Sequence, residues 1–459
     1  MSFINQAISG VKNFFGGAST PQVAELERIS RVASASQALT YFDGNAPAAL
    51  TVKAGQPDDN IHINYASVIV DKKVAFLFGE PLKISVGTDD DKTGEEYLSS
   101  VWSEEQRAED FVDMATEGAH SGDVFLKISI QPDGSPRVTV GDPNLLSAEC
   151  DPHDVSRVVV YRCQYKIPGP AGKPVLYKEE TTPAADGKTW LIREYHSNDE
   201  GRTFIPVNEG VTWNYPFAPI FHSKNLPKSK SFNGRPDLRP DVLRLISAIA
   251  RLDSMCSKTV RVHSSPKPFA RGLKKQDLEW GTDGMLFLGT GTQGIEAQVG
   301  LLEMKGDLVG ALALRKVLRE GLAEVSKTPE IATGKVESLG QISGVALRIL
   351  YSPLIDETKI KRRLIGRLIK DVCVALLVIG GKGKLTVVLV WADPLPVDEK
   401  GQIEAAEGKK RLGISEQTIH SELGYDAKVE RAQREFDSTD AATKMLDAFD
   451  RGAGADLAN

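Results

Sequence analysis

The sequence predicts an α+β fold, in which an antiparallel sheet region is followed by a hairpin of long helices. Within residues 124–204, short runs of alternating apolar and polar residues are separated by turn sequences such as Pro-Asp-Gly-Ser-Pro. Within residues 239–377, apolar residues recur instead every three or four positions. A period of two is typical of half-buried strands and a period of 3.6 of amphipathic helices, so the two regions differ in architecture.

Length and charge indicate several structural units and one basic region. A chain of 459 residues is too long for a single hydrophobic core. The net charge of −6 argues against a general nucleic-acid coat. Residues 241–275 nevertheless contain eight basic and two acidic side chains, whereas residues 398–459 contain nine basic and fourteen acidic ones. This asymmetry predicts a polyanionic partner for only one part of the molecule.

The cysteines and the apolar runs bear on compartment, metal sites and membranes. Cys150, Cys163, Cys256 and Cys373 are far apart and form no CxxC pair. This favours a reducing compartment and predicts no metal site. The longest apolar run, residues 372–381, is shorter than the ~20 residues that a membrane-spanning helix needs. No secretory signal pattern is visible, so we expect no association with membranes.

Residues 1–40 are predicted to form an N-terminal helical arm. Apolar residues at helical spacing predict an amphipathic helix over residues 3–15, and Thr20 followed by Pro21 predicts the start of a second helix. Lys12 is the only cation of the first helix. Docking of this helix on the protein itself is therefore favoured over binding to a membrane surface.

Residues 41–235 are predicted to form one α+β unit. Asn64 begins an apolar helix that Gly79 and Pro81 end. A strand (LKISV), a helix over residues 104–118 and a series of antiparallel strands follow. The sequence Asn-Gly-Arg-Pro then marks the boundary to the helical hairpin.

The remaining chain divides into six predicted segments. The third helix among them should kink at Pro353, because proline removes a backbone donor and clashes with the preceding turn. They are a first helix (236–263), a Gly-rich basic excursion (264–305), a second helix (306–328), a loop (329–344), a long kinked helix with a returning strand (345–393), and a helical end with a frayed tail (394–459).

Both helices of the hairpin have an apolar stripe. The stripes include Leu245 and Ile249 on the first helix and Leu308 and Leu312 on the second. A hairpin alone cannot cover both stripes, so they must pack against another part of the chain or against a neighbouring copy. The third helix has six cations that we expect to form a solvated face, with pairing to a neighbouring copy as the alternative: Lys359, Lys361, Arg362, Arg363, Arg367 and Lys370.

No group of residues predicts an enzyme, a metal site or a cofactor site. Gly289, Gly291 and Gly294 match the spacing of a dinucleotide-binding loop, but a strand-like sequence follows them where a helix is required. A hairpin turn is therefore favoured. The seven histidines show no metal-binding spacing. An enzyme with a dispersed active site remains an alternative class.

Four stretches of this chain resemble the portal proteins of tailed double-stranded DNA bacteriophages. They are NYASVIVDKKVAFLFGEP, NGRPDLRPDVLRLISAIARLDSMCS, SLGQISGVALRILYSPLI and GISEQTIHSELGYDAKVERAQRE. Each is weak alone, but together they occur in the family's order and span roughly residues 60–436. The sequence departs from the family where Pro236 and Asp237 replace its frequent Ser-Asp, and in its short tail.

The resemblance implies a ring-shaped homo-oligomer, usually of twelve copies, at one capsid vertex of the virion. The ring would be the channel for packaging and ejection of double-stranded DNA, and would dock terminase and a head-tail adaptor. Capsid and scaffolding proteins would be further partners, with assembly in the host cytoplasm. The segments become a wing (41–235), a stem (236–263 and 306–328), a clip (264–305), a tunnel loop (329–344) and a crown (394–459).

The resemblance also assigns roles to individual residues. Lys327, Lys335, Ser338 and Gln341 would meet DNA in the tunnel loop without reading bases. Arg271, Lys274 and Lys275 form a basic clip patch for a partner protein or nucleic acid. The stripe residues Leu245, Ile249, Leu308 and Leu312 would be the oligomer interface. An oligomeric scaffold or adaptor without a DNA channel is the alternative, which a pore narrower than duplex DNA would favour.

Overall fold

The computed structural model describes most of the chain and shows the predicted α+β architecture. The described residues are 21–87, 93–151, 153–154, 157–169, 173–199, 201–263, 308–330, 344–395 and 406–413, with four strands between residues 267 and 302. They belong to two compact units. One comprises Met1–Glu337 with Leu350–Pro394, and the other Ser338–Ile349 with Leu395–Asn459.

The N-terminal half combines helices with antiparallel strands. Among its described residues, the helices are α1 (Pro21–Phe42), α2 (Tyr65–Phe78), α3 (Thr93–Val101) and α4 (Glu104–Ser121). Its strands are β1 (Lys83–Val86), β2 (Asp123–Ile130), β3 (Pro136–Gly141), β4 (Leu146–Cys150), β5 (Val158–Pro168), β6 (Pro174–Pro183), β7 (Trp190–Ser197), β8 (Ile205–Pro206), β9 (Val211–Trp213) and β10 (Ile220–Lys224).

The C-terminal half is mainly helical. Its helices are α5 (Pro240–His263), α6 (Val309–Ser326), α7 (Gly344–Leu350) and α8 (Ser352–Ile379). Its strands are β11 (Lys267–Arg271), β12 (Leu278–Trp280), β13 (Leu286–Leu288), β14 (Gln298–Leu302) and β15 (Val387–Val390). In the clip region, β11 pairs with β14 and β12 with β13, both antiparallel.

The predicted cap at Asn64 begins α2, and a glycine cap that was not predicted ends α4. The Asn64 side chain accepts a hydrogen bond from the Ser67 amide at 3.0 Å and so caps the first turn of α2. Helix α4 ends at Gly122, whose φ is +92°. A Cβ at that position would lie 2.9 Å from the backbone nitrogen of Pro236, so only glycine fits where the chain turns from α4 into β2.

The strands form antiparallel sheets that bring distant segments together. The largest has the order β4-β5-β6-β7-β8, with β9 also pairing with β7. A second has the order β10-β2-β3. Strand β1 pairs with β15, with Ile84 opposite Leu389, so the strand after α8 returns to the wing as the sequence predicts.

Two large apolar clusters bury the inner faces of the long helices. The first packs α8 against β1, β2, α3 and α4, with Met114, Leu126 and Ile369 among its fully buried side chains. The second packs α5 against α1 and α2, with Val242 and Ile246 at its centre. The two clusters hold the stem helix α5 and the helix α8 on the same wing.

The third helix differs from the prediction of one long kinked helix. Helix α7 ends at Leu350, Tyr351 is a turn residue, and Pro353 lies in the first turn of α8. Proline is tolerated there because the first amides of a helix have no partner in that helix. Proline therefore begins a new helix at this position.

Several of the segments predicted from the sequence lie outside the described residues. The helix predicted over residues 3–15, the crown after residue 413 and most of the tunnel loop are outside them. In the part of the chain that the structure describes, no helix has the length and apolarity to cross a lipid bilayer.

Candidate functional site: the helical hairpin and the base of its loop

Helices α5 and α6 form a pair held by apolar contacts and one double ion pair. The inward face of α5 buries Val242, Ile246 and Ile249. Two nitrogens of the Arg315 guanidinium on α6, Nε and Nη2, donate hydrogen bonds to the carboxylate of Asp253 on α5, the second at 3.0 Å. This bidentate geometry raises the pKa of Arg315 further and sets the register of the two helices.

An extended segment before α2 covers a second side of α5. The Ser254 hydroxyl of α5 accepts a hydrogen bond from the Ile61 amide at 2.9 Å. Two residues earlier in this segment, the Asp59 carboxylate accepts two hydrogen bonds from Arg261 of α5, at 2.7 and 2.6 Å. Residues of the wing therefore hold α5 along much of its length.

The first half of α6 has an exposed apolar surface, which we call the outer face of α6. Its large side chains have exposed fractions of one half or more: Val309 73%, Leu312 59%, Leu314 51% and Val317 61%. The buried residues of this helix, Leu322 and Ser326, belong to the side that meets α5. Single exposed apolar residues are ordinary, but four within nine residues leave the outer side and both flanks of this half of α6 apolar, which indicates a binding surface.

Helix α6 also contains two glycines that no close neighbour in the described chain requires. A Cβ added at Gly310 or Gly321 would meet no atom of the described chain within 4 Å. Glycine destabilises a helix interior by roughly 1 kcal/mol relative to alanine. Small residues beside an exposed apolar patch are compatible with close approach by another helix.

The predicted stem interface residues occupy different environments. Ile249 is only 1% exposed and lies in the core of the single chain. Leu245 packs at the edge of the same core, and Leu308 is half-buried just before α6. Of the four, Leu312 alone has a largely exposed side chain.

A chain of alternating charges lies beneath the junction of wing and stem. Asp237 binds Lys73 through Oδ1 at 2.8 Å and Lys361 through Oδ2 at 2.5 Å. Glu357 binds Lys73 through Oε1 at 2.5 Å and Lys327 through Oε2 at 3.2 Å. The first four side chains are almost fully buried, whereas Lys327 is half-exposed. We call these five residues the junction ion chain.

The junction ion chain controls the protonation of its buried members. Burial alone would raise the pKa of Asp237, but Lys361 and Lys73 outweigh it and hold that pKa well below the ordinary range. Burial would lower the pKa of Lys73, yet Asp237 and Glu357 raise it. For Lys361, burial prevails and its pKa is lowered. Asn225 also donates to Asp237 at 3.0 Å, so the carboxylate is well satisfied.

Sequence reasoning missed most of the junction ion chain and misplaced one member. Lys361 was expected on a solvated face, but it is buried because Asp237, 124 positions away, supplies its counter-charge. Two local signals point to the cluster. Lys73 ends a run of three charged residues inside a mostly apolar helix, and Glu357 and Lys361 are four residues apart on one helix.

The remaining predicted site residues are only partly described. Lys327 follows the last residue of α6, with its Nζ on Glu357. Lys335, Ser338, Gln341, Lys274 and Lys275 lie outside the described residues, and Arg271 is the last residue of β11. Across the described part of the chain, no group of three or more His, Cys, Asp or Glu side chains is arranged to hold a metal ion.

Comparison with known proteins identifies one family. The family model described as "Phage portal protein, SPP1 Gp6-like" matches residues 31–442. No curated protein matches the chain significantly.

Three solved structures are similar over most of the chain. The neck of an empty GTA particle computed with C6 symmetry is 13% identical, with a TM-score of 0.46 over 85% of this chain and 93% of that chain. The virion of the native gene transfer agent (GTA) particle is 13% identical, with a TM-score of 0.43 over 85% and 99%. The neck of the native GTA particle computed with C12 symmetry is 14% identical, with a TM-score of 0.39 over 79% and 89%.

Proposed function

The chain belongs to the SPP1 Gp6-like family of phage portal proteins, and we propose that it assembles into a ring of twelve copies around a channel for double-stranded DNA. As a portal protein, it is a bacteriophage virion component of the capsid vertex. DNA would enter through this ring during packaging and leave through it during ejection. The single observation that carries the proposal is the outer face of α6, which is apolar and has no cover within the described chain.

A ring is the assembly that such a surface favours. The outer face of α6 is present once in each copy, and we propose that it packs against a different surface of the next copy. Contacts between two different surfaces of identical copies are heterologous, and they close into a ring when the rotation between copies is a whole fraction of a turn. Burial of four large apolar side chains per contact supplies the driving force.

The loop after α6 is proposed to line the channel. Lys335, Ser338 and Gln341 offer one cation and two neutral polar groups per copy. Few cations suffice because the ring multiplies each of them, and strong phosphate neutralisation would hold the DNA in place. Contacts of this kind do not distinguish bases, so DNA of any sequence can pass.

The clip is proposed to dock terminase during packaging and a head-tail adaptor afterwards. Its cations Arg271, Lys274 and Lys275 lie at or just after strand β11. We also propose that the wing contacts capsid and scaffolding proteins while the particle assembles in the host cytoplasm. It requires no cofactor and no enzymatic activity.

Charge reversal of the clip patch is expected to separate assembly from partner binding. Replacing Arg271, Lys274 and Lys275 by Glu should leave the ring intact but lower packaging or adaptor attachment, because attraction becomes repulsion at the docking surface. The matched control replaces the same three residues by the other basic residue, Arg or Lys. Complementation of a portal-deficient phage measures the effect, and full infectivity of the Glu variant would show that the patch has no role.

Images of the purified protein along its symmetry axis test the proposed function itself. We expect rings with an axial opening wide enough for duplex DNA. A monomer that persists across protein concentration, salt and added scaffolding protein would contradict ring formation. A ring whose opening is narrower than duplex DNA would contradict the channel and favour an adaptor or scaffold.

A further inference from the structure

The backbone of Lys327 is unusual for the residue that stands there. Its φ of +58° is one of only two positive values at non-glycine residues in the described chain. This left-handed conformation ends α6, and its amide donates to the Glu324 carbonyl at 3.2 Å. Glycine is the usual residue at such a position because a side chain is strained there. A lysine at this position indicates that its side chain has a role that glycine could not fulfil.

The Lys327 side chain pairs with the carboxylate of Glu357, which is buried and would otherwise lack a partner for one of its oxygens. Oε1 of Glu357 is bound by Lys73, and Lys327 is the described partner of Oε2. The Glu357 side chain is 6% exposed. Moving the Lys327 ammonium away to a phosphate would leave this oxygen desolvated and unpaired. Such a loss exceeds the gain from a solvent-screened phosphate contact.

Other contacts hold the same end of α6. Arg239 donates to the Val325 carbonyl at 2.7 Å, and Thr328 is buried. Arg319 forms an ion pair with Glu330 at 2.9 Å, just before the loop leaves the described residues. Glu357 is on the first turns of α8, so Lys327 connects the chain that enters the loop to the second helix after the loop.

We propose that Lys327 and Glu357 are positioning residues of the tunnel loop: their ion pair fixes the direction in which the chain leaves α6, and Lys327 does not itself contact DNA. The junction ion chain anchors Glu357 through Lys73 and Asp237 to the wing. The loop therefore starts from a point that is fixed relative to the wing. This inference rests on the proposed function, because the importance of that direction depends on the loop lining the channel.

Hydrogen exchange of the full-length, DNA-free protein tests the positioning role. Lys327→Met removes the charge but keeps the side-chain length and the strained backbone. Exchange of the amides that follow Glu330 should become about two- to fivefold faster, the range expected for one partly exposed ion pair. Lys327→Arg has the same backbone and retains the charge, so its exchange should match that of the wild type.

Two further variants separate positioning from general stability. Lys327→Gly relieves the backbone strain, so its melting temperature should not fall, yet its loop amides should exchange faster. Glu357→Gln removes the charge that pairs with both Lys327 and Lys73, so it should accelerate exchange at least as much. Adding Lys327→Met to it should change exchange little further, because the Lys327–Glu357 ion pair is already lost. If Glu357→Gln fails to fold, the three Lys327 variants still decide the question.

Exchange in Lys327→Met that equals the wild type would overturn the proposal. A packaging defect in that variant with unchanged exchange would instead assign Lys327 a direct role on DNA. Because the measurement uses DNA-free protein, it is equally valid if the protein forms no DNA channel. Failure of the proposed function and failure of the positioning role are thereby distinguished.

Discussion

Leu312→Asp should abolish ring assembly while the single chain still folds. The Leu312 side chain is 59% exposed in the chain, so a carboxylate there can stay solvated in the folded monomer. In the ring, the same carboxylate would be buried without a partner. Such a change costs on the order of 3 kcal/mol or more per interface, which is at least about a hundredfold in the association constant. Sedimentation velocity measures the ring fraction.

The control for Leu312→Asp is an exposed valine far from the stem. Val211 on β9 is 60% exposed, so Val211→Asp makes a comparable change of chemistry and exposure. We expect normal ring yield from this variant and a near wild-type melting temperature from both. Normal ring yield from Leu312→Asp would mean that the outer face of α6 is not an interface.

Asp237→Asn should cause the largest loss of stability in the single chain. The substitution removes the carboxylate that Lys73 and Lys361 share, which leaves two buried cations with Glu357 as their remaining buried counter-charge. Breaking a buried ion pair from one side typically costs about 3–5 kcal/mol. The shift in the midpoint of urea unfolding measures the loss. Asp241→Asn, at an exposed position four residues away, is the control and should change it by less than about 0.5 kcal/mol.

The same variant should show a weaker loss of stability in acid. Folding lowers the pKa of Asp237, so its ionised form stabilises the folded state at pH values above its ordinary pKa of 3.8. This contribution is lost as the pH falls below that value towards the folded-state pKa. Asparagine does not titrate, so unfolding midpoints of Asp237→Asn should fall less steeply below about pH 4. Equal slopes for variant and wild type would contradict the role of this carboxylate.

The order of helices and strands was largely predictable because short-range sequence patterns specify each of them. Helix α5 was expected over residues 241–263 and extends over Pro240–His263. The strand after α8 was expected and pairs with β1. Alternation, helical spacing and caps such as Asn64 act within one or two turns of chain, so a single sequence contains the whole signal. The break at Tyr351 was not predicted, because Pro353 alone is compatible with a kink or with a helix start.

The candidate site was predictable only in its location. The apolar stripes indicated that the hairpin needs neighbours, but helical spacing cannot tell which residues the chain covers itself. Ile249 is buried in a cluster with residues of α1, α2 and α6, whereas Leu312 is 59% exposed. That difference depends on segments up to two hundred residues away in sequence, such as Tyr41, whose hydroxyl pairs with Ser247 on α5.

Local pattern alone was sufficient for the α+β class, the helical hairpin and the resemblance to portal proteins that the family match then confirmed. Tertiary structure alone decided which charges are buried. Glu357 and Lys361 are one turn apart and would be expected to pair on a solvated face. Instead, Glu357 binds Lys73, 284 positions away, and Lys361 binds Asp237, 124 positions away. A buried charge is stable only where folding brings a counter-charge to it. Local spacing in the sequence does not specify such a long-range contact.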